Sequence, residues 1–462
     1  MKGALRSTKI VTLNRRGQVR ALCAVLMFTI VGSPQIIASA ESKGEKSVFT
    51  IHNESEVISD NGFQLAANGS KLLVGSFPTV GDSFHTSGEN IRLINTRTKR
   101  SQFVSRDTKV RLPDGSFQKF DTEIRYALAP QGDYALLHGL PILGAQADTD
   151  LSPCGTLRRQ FNTMSDRCVL LVNLTNSNDV RLLAPLEILQ EVGPYITWFS
   201  IESLRFSADG KSIFYVAQYI YYQEFASILS IGVFRYDIAS AETTKLTDNA
   251  RTPQLNYPIV SIDFISKNNR YALITDSRNT TEGPKATIDL LNLESGEMTR
   301  VVQLSHELNK PGFWEAYGLW VDDEGQNVTY FQTPNSEAEA ASRQFAQVRR
   351  VNVATGTSTV LDCAEMFGRY EDHAVITQDG KMIYFSSEPD VIDREGNPQN
   401  QSIYYLNTQN RRCGVVAAAR GSFDHTSPIV TPDGAYLAYL KALRAGGSDD
   451  AVWRRIILKK LD

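Results

Sequence analysis

Phe206-Ser-Ala-Asp-Gly-Lys-Ser-Ile-Phe-Tyr215 is the clearest copy of a short pattern that recurs seven times after residue 60. Each copy has an apolar run, a pair such as Asp-Gly, a polar residue and a second apolar run. The other copies occupy residues 65–69, 128–132, 264–269, 321–325, 376–385 and 430–439. Self-similarity on this scale indicates an architecture built from one repeated unit.

Each copy predicts a β-hairpin, because Asp-Gly between two apolar runs is a strong signal for a tight turn. The second turn residue falls at 69, 132, 210, 269, 325, 380 and 434, so successive copies are 54 to 78 residues apart. A four-stranded blade needs about 40–50 residues. A second hairpin pattern follows each copy, as in residues 288–296. The chain is therefore expected to be all-β, a seven-bladed β-propeller of four-stranded antiparallel blades. Six blades stay open as an alternative, since the copy around Gly69 is weak.

The last repeat lacks a fourth strand. After Gly434 the pattern predicts a second strand and then a third strand over residues 453–461, where the sequence nearly ends. The segment 47–52, ahead of blade one, alternates apolar and polar residues and can supply the missing strand. We expect this N-terminal strand to close the ring, because closure removes exposed sheet edges.

The first 40 residues have the features of a signal peptide. Basic residues precede a short apolar stretch over 21–32, and Ala38-Ser39-Ala40 forms a small-residue cleavage site before Glu41. The expected organisation is a signal peptide over 1–40, an N-terminal segment with the ring-closing strand over 41–62, and the propeller over 63–462. The protein is expected to be periplasmic or secreted and not embedded in a membrane.

The charge balance argues against nucleic acid as a partner. Six of the 48 basic residues and none of the 51 acidic residues precede residue 41, which leaves a net charge of −9 after cleavage. Nucleic-acid binding normally needs a basic surface, and an acidic surface also disfavours anionic lipid.

Four cysteines remain after cleavage, and an even number in an exported chain suggests disulfides. Cys154 and Cys168 bracket one inserted segment and are expected to pair. Cys363 and Cys413 belong to the outer strands of adjacent predicted blades and form the second expected pair. Zinc binding is the alternative, and the absence of any Cys-x-x-Cys disfavours it.

The repeat Ser/Thr-x-Asp-Gly-Lys/Ala, followed by an apolar and aromatic strand, resembles the WD40-like propeller repeat of the TolB family over residues 60–462. The resemblance implies a propeller and export. TolB itself has an α/β domain ahead of six blades, whereas this chain has about twenty mature residues ahead of seven repeats. The resemblance therefore concerns the propeller part and not TolB itself. Similar repeats occur in propellers of prolyl-oligopeptidase-type peptidases, whose Gly-x-Ser-x-Gly elbow is missing from this sequence, and in oligogalacturonate lyases, which hold a divalent metal with histidines.

A candidate binding site comes from aligning the seven copies nine residues before the second turn residue. That position is occupied by Asp60, Glu123, Ile201, Val260, Ala316, Glu371 and His425, and His373 lies close by in the sequence. We expect these positions to ring the mouth of the channel as an acidic funnel with two histidines. Such a funnel suits a divalent cation or a basic peptide. The plainer alternative is that connections between blades are polar because water surrounds them. No metal is assigned.

Long connections between the second and third strands are expected at residues 139–167, 219–228 and 388–401, on the face of the channel mouth. The favoured function is a non-catalytic scaffold that binds a protein or peptide of the cell envelope through this face. The first alternative is a metal-dependent lyase or hydrolase with its site at the channel mouth. The second is a small ligand or glycan, held by Tyr219, Tyr221, Tyr222 and Phe225. The oligomeric state is not specified by the sequence.

Overall fold

The computed structural model describes residues 45–52, 56–78, 90–104, 109–111, 117–141, 168–176, 179–183, 196–223, 226–251, 259–280, 283–305, 313–334, 347–361, 374–387, 401–419, 423–444 and 451–461. These residues form seven antiparallel β-sheets, as the repeat predicts. No membrane-crossing helix occurs among them. The predicted signal peptide lies outside the described residues.

In the first four blades, the strands follow one another in chain order from the innermost to the outermost. Blade one has β2 (Glu56–Leu65), β3 (Lys71–Pro78), β4 (Asn90–Asn95) and β5 (Ser101–Phe103). Blade two has β7 (Phe117–Leu128), β8 (Tyr134–Pro141), β9 (Cys168–Asn173) and β10 (Val180–Leu183), and a short strand β6 (Lys109–Arg111) pairs with β7. Blade three has β11 (Ile196–Phe206), β12 (Ser212–Gln223), β13 (Ala226–Asp237) and β14 (Thr243–Arg251). Blade four has β15 (Ile259–Ile265), β16 (Tyr271–Thr280), β17 (Gly283–Asn292) and β18 (Met298–Ser305).

The remaining three blades complete the ring. Blade five has β19 (Phe313–Val321), β20 (Asn327–Pro334), β21 (Gln347–Asn352) and β22 (Ser358–Val360). Blade six has β23 (Ala374–Ile376), β24 (Met382–Ser387), β25 (Ser402–Asn407) and β26 (Arg412–Ala417). Blade seven has β27 (Phe423–Val430), β28 (Tyr436–Arg444), β29 (Ala451–Lys460) and, from the other end of the chain, β1 (Glu45–His52).

The repeated Ser/Thr-x-Asp-Gly motif builds the turn between the first and second strands of a blade. In blade six, the Gly380 N–H donates to the carbonyl oxygen of Thr377 at 2.9 Å, and the Thr377 hydroxyl donates to Asp379 Oδ1 at 2.7 Å. The N–H groups of Lys381 and Met382 donate to Asp379 Oδ1 and Thr377 Oγ1. The motif therefore satisfies its own polar groups, which explains why these residue types recur.

Seven clusters of buried apolar side chains form the core, and each joins two neighbouring blades. Blades two and three share the cluster that contains Leu136 and Tyr215, and blades six and seven share the cluster that contains Tyr439. Because the described strands of a blade have apolar side chains on both faces, each blade packs against the blade on either side of it.

The turns of neighbouring blades are also hydrogen-bonded in a series around one face, which we call the turn face. From blade one to blade seven the contacts are Ala67 N to Pro130 O (2.7 Å), Gln131 Nε2 to Asp209 O (2.7 Å), Ala208 N to Asn269 Oδ1 (2.8 Å), Asn268 Nδ2 to Asp323 O (2.8 Å), Trp320 Nε1 to Gln378 O (3.0 Å) and Gln378 N to Pro432 O (2.9 Å). Between blades seven and one, the Tyr436 ring packs directly against Gly69.

The N-terminal strand closes the ring, as expected from the sequence. β1 pairs antiparallel with β29 from Glu45, opposite Lys459, to His52, opposite Trp453. Val48 in this strand is only 3% exposed and packs in the cluster shared by blades seven and one. The Lys459 ammonium lies 3.6 Å from the Glu45 carboxylate. The predicted boundary at residue 63 falls inside β2, so the sheets of the ring begin before it.

One expected loop is wrong. Residues 219–228 were expected to connect two strands, but Tyr219 to Gln223 continue β12 and Ala226 to Ile228 begin β13. The alternating aromatic and apolar residues extend the hairpin of blade three, and β11 and β14 lengthen with it. Alternation favours paired strands over a loop wherever a partner strand is available.

The predicted disulfides stay predictions. Cys168 begins β9 and Cys413 lies in β26, partly buried against the cluster shared by blades five and six. Cys154 and Cys363, their expected partners, lie outside the described residues.

Two turn glycines provide a matched test of how tightly the turn face is packed. Gly380 and Gly356 have nearly the same backbone conformation, with φ of 70° and 67°. A Cβ at Gly380 would lie 2.4 Å from the Trp320 ring, whereas a Cβ at Gly356 would meet nothing within 4 Å. Both Gly→Ala variants incur the left-handed backbone penalty of about 1 kcal/mol. Gly380→Ala is expected to lose roughly 1–3 kcal/mol more from overpacking.

Denaturant unfolding of the two variants measures the difference directly. Equal losses of unfolding free energy would contradict the close contact between the blade-six turn and Trp320.

Candidate functional site

The innermost strands line the channel, and β-bulges interrupt six of the seven in their described parts. The six are β2, β7, β11, β15, β19 and β27. In β15 the pairing passes from Ile262 to Phe264, so that Asp263 has no partner residue on β16. A bulge turns side chains out of the regular alternation, which is a common way to aim polar groups at a neighbour or a ligand.

Asp263 illustrates this effect, since its carboxylate joins blade four to blade five. The Ser261 hydroxyl donates to Asp263 Oδ1 at 2.5 Å, and the Thr275 hydroxyl makes a short hydrogen bond to Oδ2. The Gly318 N–H of the next blade also donates to Oδ2, at 2.6 Å. Burial raises the pKa of Asp263, while these three hydrogen bonds and the charge of Arg205 oppose the increase.

Arg205 and Ser203 join blade three to blade four one step earlier in the ring. Arg205 Nε donates to the carbonyl oxygen of Ile262 at 3.0 Å, and the Ile262 N–H donates to Ser203 Oγ at 3.0 Å. Both side chains therefore bracket one residue of the neighbouring innermost strand. Arg205 is exposed to solvent. Desolvation by the surrounding protein nevertheless lowers the pKa of its guanidinium, and the charge of Asp263 counteracts this.

A third contact of the same kind joins blade five to blade six. The Ala374 N–H donates to the Tyr317 hydroxyl oxygen at 3.3 Å. Three successive seams, from blade three to blade six, thus carry polar contacts between innermost strands.

The position predicted to ring the channel mouth is buried wherever its side chain is described. Ile201, Val260, Ala316 and His425 are 7%, 5%, 3% and 6% exposed, and the first three belong to apolar clusters. Counting back nine residues from the turn crosses the bulges, which differ in place and length from blade to blade. Each extra residue in a bulge moves the following residues along the strand by one position. Because side chains alternate between the two faces of a sheet, a residue displaced by one position points to the opposite face. His425 is therefore packed against Gln401 and Ala417 of blade six, and its place at the channel mouth stays a prediction.

The other predicted site residues are not brought together by the described part of the chain. Asp60 lies in the irregular stretch of β2 between Ile58 and Phe63, and Glu123 lies in β7 opposite His138. The structure describes their backbone and not their side chains. Glu371 and His373 fall outside the described residues.

His425 has an environment that restricts its protonation. Its backbone N–H donates to the carbonyl oxygen of Gln401 at 2.9 Å, and its Nδ1 lies 3.3 Å from the carbonyl oxygen of Ala417. The ring meets that of Tyr439 at a centroid distance of 5.3 Å. Burial lowers the pKa of His425. The neutral ring with its proton on Nδ1 satisfies the Ala417 carbonyl and leaves the lone pair on Nε2, which has no hydrogen-bond partner in the described structure.

Tyr219 does not belong to an exposed aromatic patch, because it is 1% exposed. Its hydroxyl accepts a hydrogen bond from the Lys245 ammonium at 3.2 Å. Tyr221 and Tyr222 lie in β12, and the structure describes only their backbone. Phe225 is outside the described residues.

Sequence inspection missed Arg205, Ser203 and Asp263. The repeat does distinguish Arg205, which lies five residues before the second turn residue of its copy. That position is occupied by Gln64, Ala127, Arg205, Phe264, Trp320, Val375 and Ile429. Arg205 is the single charged residue in this set. Asp263 had no such signal, since its role depends on the bulge. Among the described residues, no cluster of three or more potential metal ligands occurs.

No protein-family model matches this chain, and no curated protein sequence matches it. Several solved structures are similar to this chain. An oligogalacturonate lyase in complex with manganese is 13% identical, with 90% of this chain and 97% of that chain covered and a TM-score of 0.51. An oligogalacturonate lyase from Vibrio parahaemolyticus is 11% identical, with coverage of 90% and 93% and a TM-score of 0.51. A putative TolB from Agrobacterium tumefaciens is 17% identical, with coverage of 59% and 76% and a TM-score of 0.31. At these identities the two lyases establish a shared propeller fold and nothing further.

Proposed function

We propose that this protein is exported and that its propeller is a non-catalytic scaffold for a protein or peptide of the cell envelope. The partner binds the face opposite the turn face, which we call the loop face. There the second strand of each blade connects to the third, and each outermost strand connects to the next blade. Periplasmic or secreted localisation and the two disulfides, Cys154–Cys168 and Cys363–Cys413, belong to the same proposal.

The observation that carries this proposal is the difference between the two faces. The turn face consists of short turns that bond to themselves and to each other. Asp433 shows this, because the Ala435 N–H and the Thr431 hydroxyl bind its carboxylate and lower its pKa. Rigid scaffolds commonly place binding in variable connections, and the variable connections lie on the loop face.

Blade three makes the loop face uneven. Its second and third strands pair without interruption from Ser212, opposite Asp237, to Gln223, opposite Ala226. Twelve residues on each side of this hairpin exceed the eight of β20 and the six of β24. The strand β6 pairs with the start of β7 on the same face. A partner on the loop face therefore meets a central hairpin in blade three that is longer than those of blades five and six, which suits recognition of a protein surface.

Site-specific crosslinking in the native envelope tests the proposal. A photoreactive residue at Gln223, at the loop-face end of β12, is expected to capture one reproducible partner protein. The matched control is the same residue at Glu242, which is exposed beside the turn between β13 and β14 on the turn face of the same blade. Equal capture from both positions, or none from Gln223, would contradict a partner on the loop face.

A metal-dependent lyase or hydrolase is the second candidate function, and one observation favours it. The buried His425 Nε2 has no hydrogen-bond partner in the described structure, and neutral imidazole nitrogen is a common metal ligand. Its Nδ1 contact with a backbone carbonyl is the arrangement that typically orients a metal-binding histidine. Glu371 and His373 are the predicted companions. A manganese complex is known for one lyase of similar fold.

Titration with Mn²⁺ decides whether His425 holds a cation. If it does, excess Mn²⁺ raises the melting temperature of the wild-type protein, and His425→Phe abolishes the increase. Tyr439→Phe is the control, because it alters the adjacent ring and keeps the imidazole. A wild-type protein that does not respond to Mn²⁺, or a His425→Phe variant that still does, would rule out this candidate.

A further inference from the structure

Arg205 carries hydrogen-bonding capacity that the described protein does not use. Its Nε donates to the Ile262 carbonyl oxygen, and its two terminal NH₂ groups have no hydrogen-bond partner among the described residues. We propose that Arg205, together with the Ser203 hydroxyl, forms a binding site for a carboxylate group inside the central channel. This site is distinct from the loop face and does not rest on the function proposed above.

The geometry of Arg205 suits a planar anion. A guanidinium presents five N–H donors in a rigid plane, and two of them from different nitrogens match the two oxygens of a carboxylate. Because the Ile262 carbonyl holds Nε at 3.0 Å, the orientation of the plane is set before a ligand arrives. Such preorganisation reduces the entropy lost on binding.

Ser203 adds a neutral donor on the same wall. Its oxygen accepts from the Ile262 N–H at 3.0 Å, and its hydroxyl hydrogen has no acceptor among the described residues. Residues two apart on a strand point to the same side, and Ser203 and Arg205 both contact Ile262. A carboxylate between them is therefore able to accept from the guanidinium and the hydroxyl together.

Asp263 does not occupy this site, although its charge acts on Arg205. Ser261, Thr275 and Gly318 already donate to both of its oxygens. The Asp263 carboxylate is thus fixed towards blade five, and no described residue occupies the terminal NH₂ groups of Arg205. Its negative charge nearby disfavours a doubly charged phosphate more strongly than a singly charged carboxylate.

The surroundings of Arg205 strengthen its attraction for an anion. The side chain is exposed to solvent, yet the protein around it lowers the pKa of the guanidinium by desolvation. Arginine remains protonated even so. A charge attraction in such a partly desolvated channel is stronger than the same contact on an open surface, because the effective dielectric constant is lower.

Ligand-observed NMR titration with acetate and with acetamide, its neutral isostere, tests the site. Acetate is expected to bind at least about tenfold more tightly than acetamide. Arg205→Met is expected to abolish acetate binding, and Arg205→Lys is expected to weaken it about tenfold, because lysine keeps the charge and loses the planar fork. Arg235→Met is the matched control. Arg235 is also exposed in blade three and uses its Nε for one hydrogen bond, to Ser212 Oγ, but lies on the third strand.

Several results would overturn the proposal. These are equal binding of acetate and acetamide, no binding of acetate by the wild-type protein, unchanged binding by Arg205→Met, or tighter binding of phosphate than of acetate. Melting temperatures show whether each variant is folded. If Arg205→Met does not fold, acetate binding by Arg205→Lys decides whether the guanidinium forms the site. N-acetyltriglycine identifies the source of the carboxylate: tighter binding than acetate indicates the end of a peptide, and equal binding indicates a small free acid.

Discussion

Pairing of β1 with β29 is the interaction on which the rest of the structure depends. Every blade is held by apolar contacts with two neighbours, so a ring that fails to close leaves two faces without a partner. β1 supplies the outermost strand of blade seven, and Val48 within it contributes to the seam with blade one. The chain therefore joins its N-terminal strand to its last strand through backbone hydrogen bonds and apolar packing together. Free sheet edges invite aggregation, and pairing with β1 covers the edge of β29.

The closed ring allows its two faces to serve different purposes. On the turn face, short turns, three of them Asp-Gly, satisfy their own polar groups and bond to the neighbouring blades. On the loop face, strand length and connection length vary from blade to blade, and the second strand of blade three is longer than those of blades five and six. The hydrogen-bonded turn face thus holds the blades in place while the connections on the loop face differ in length. Where the innermost strands of blades three to five meet, Arg205 and Asp263 make polar contacts across the seams, and Asp263 does so from a bulge.

The sequence was sufficient for the architecture and insufficient for the channel. Seven turns, seven blades and the closing strand follow from local signals, since Asp-Gly turns and alternation act within a few residues. Register within the innermost strands depends on bulges, which arise from packing between blades and have no local signature in this chain. For that reason the burial of His425, which is 6% exposed, was not predicted. Arg205 was overlooked although it is the charged member of an otherwise uncharged repeat position, and Tyr219 was mistaken for a loop residue because its partner strand was unknown.

The central claim is that one N-terminal strand holds a seven-bladed ring together. The most direct measurement compares the thermal unfolding of a chain that begins at Gly44 with that of a chain that begins at Ser55 and therefore lacks β1. The account predicts a melting temperature lower by many degrees for the second chain, because the loss of β1 removes the partner of β29 and exposes the seam with blade one. Identical melting of the two chains would contradict closure by β1.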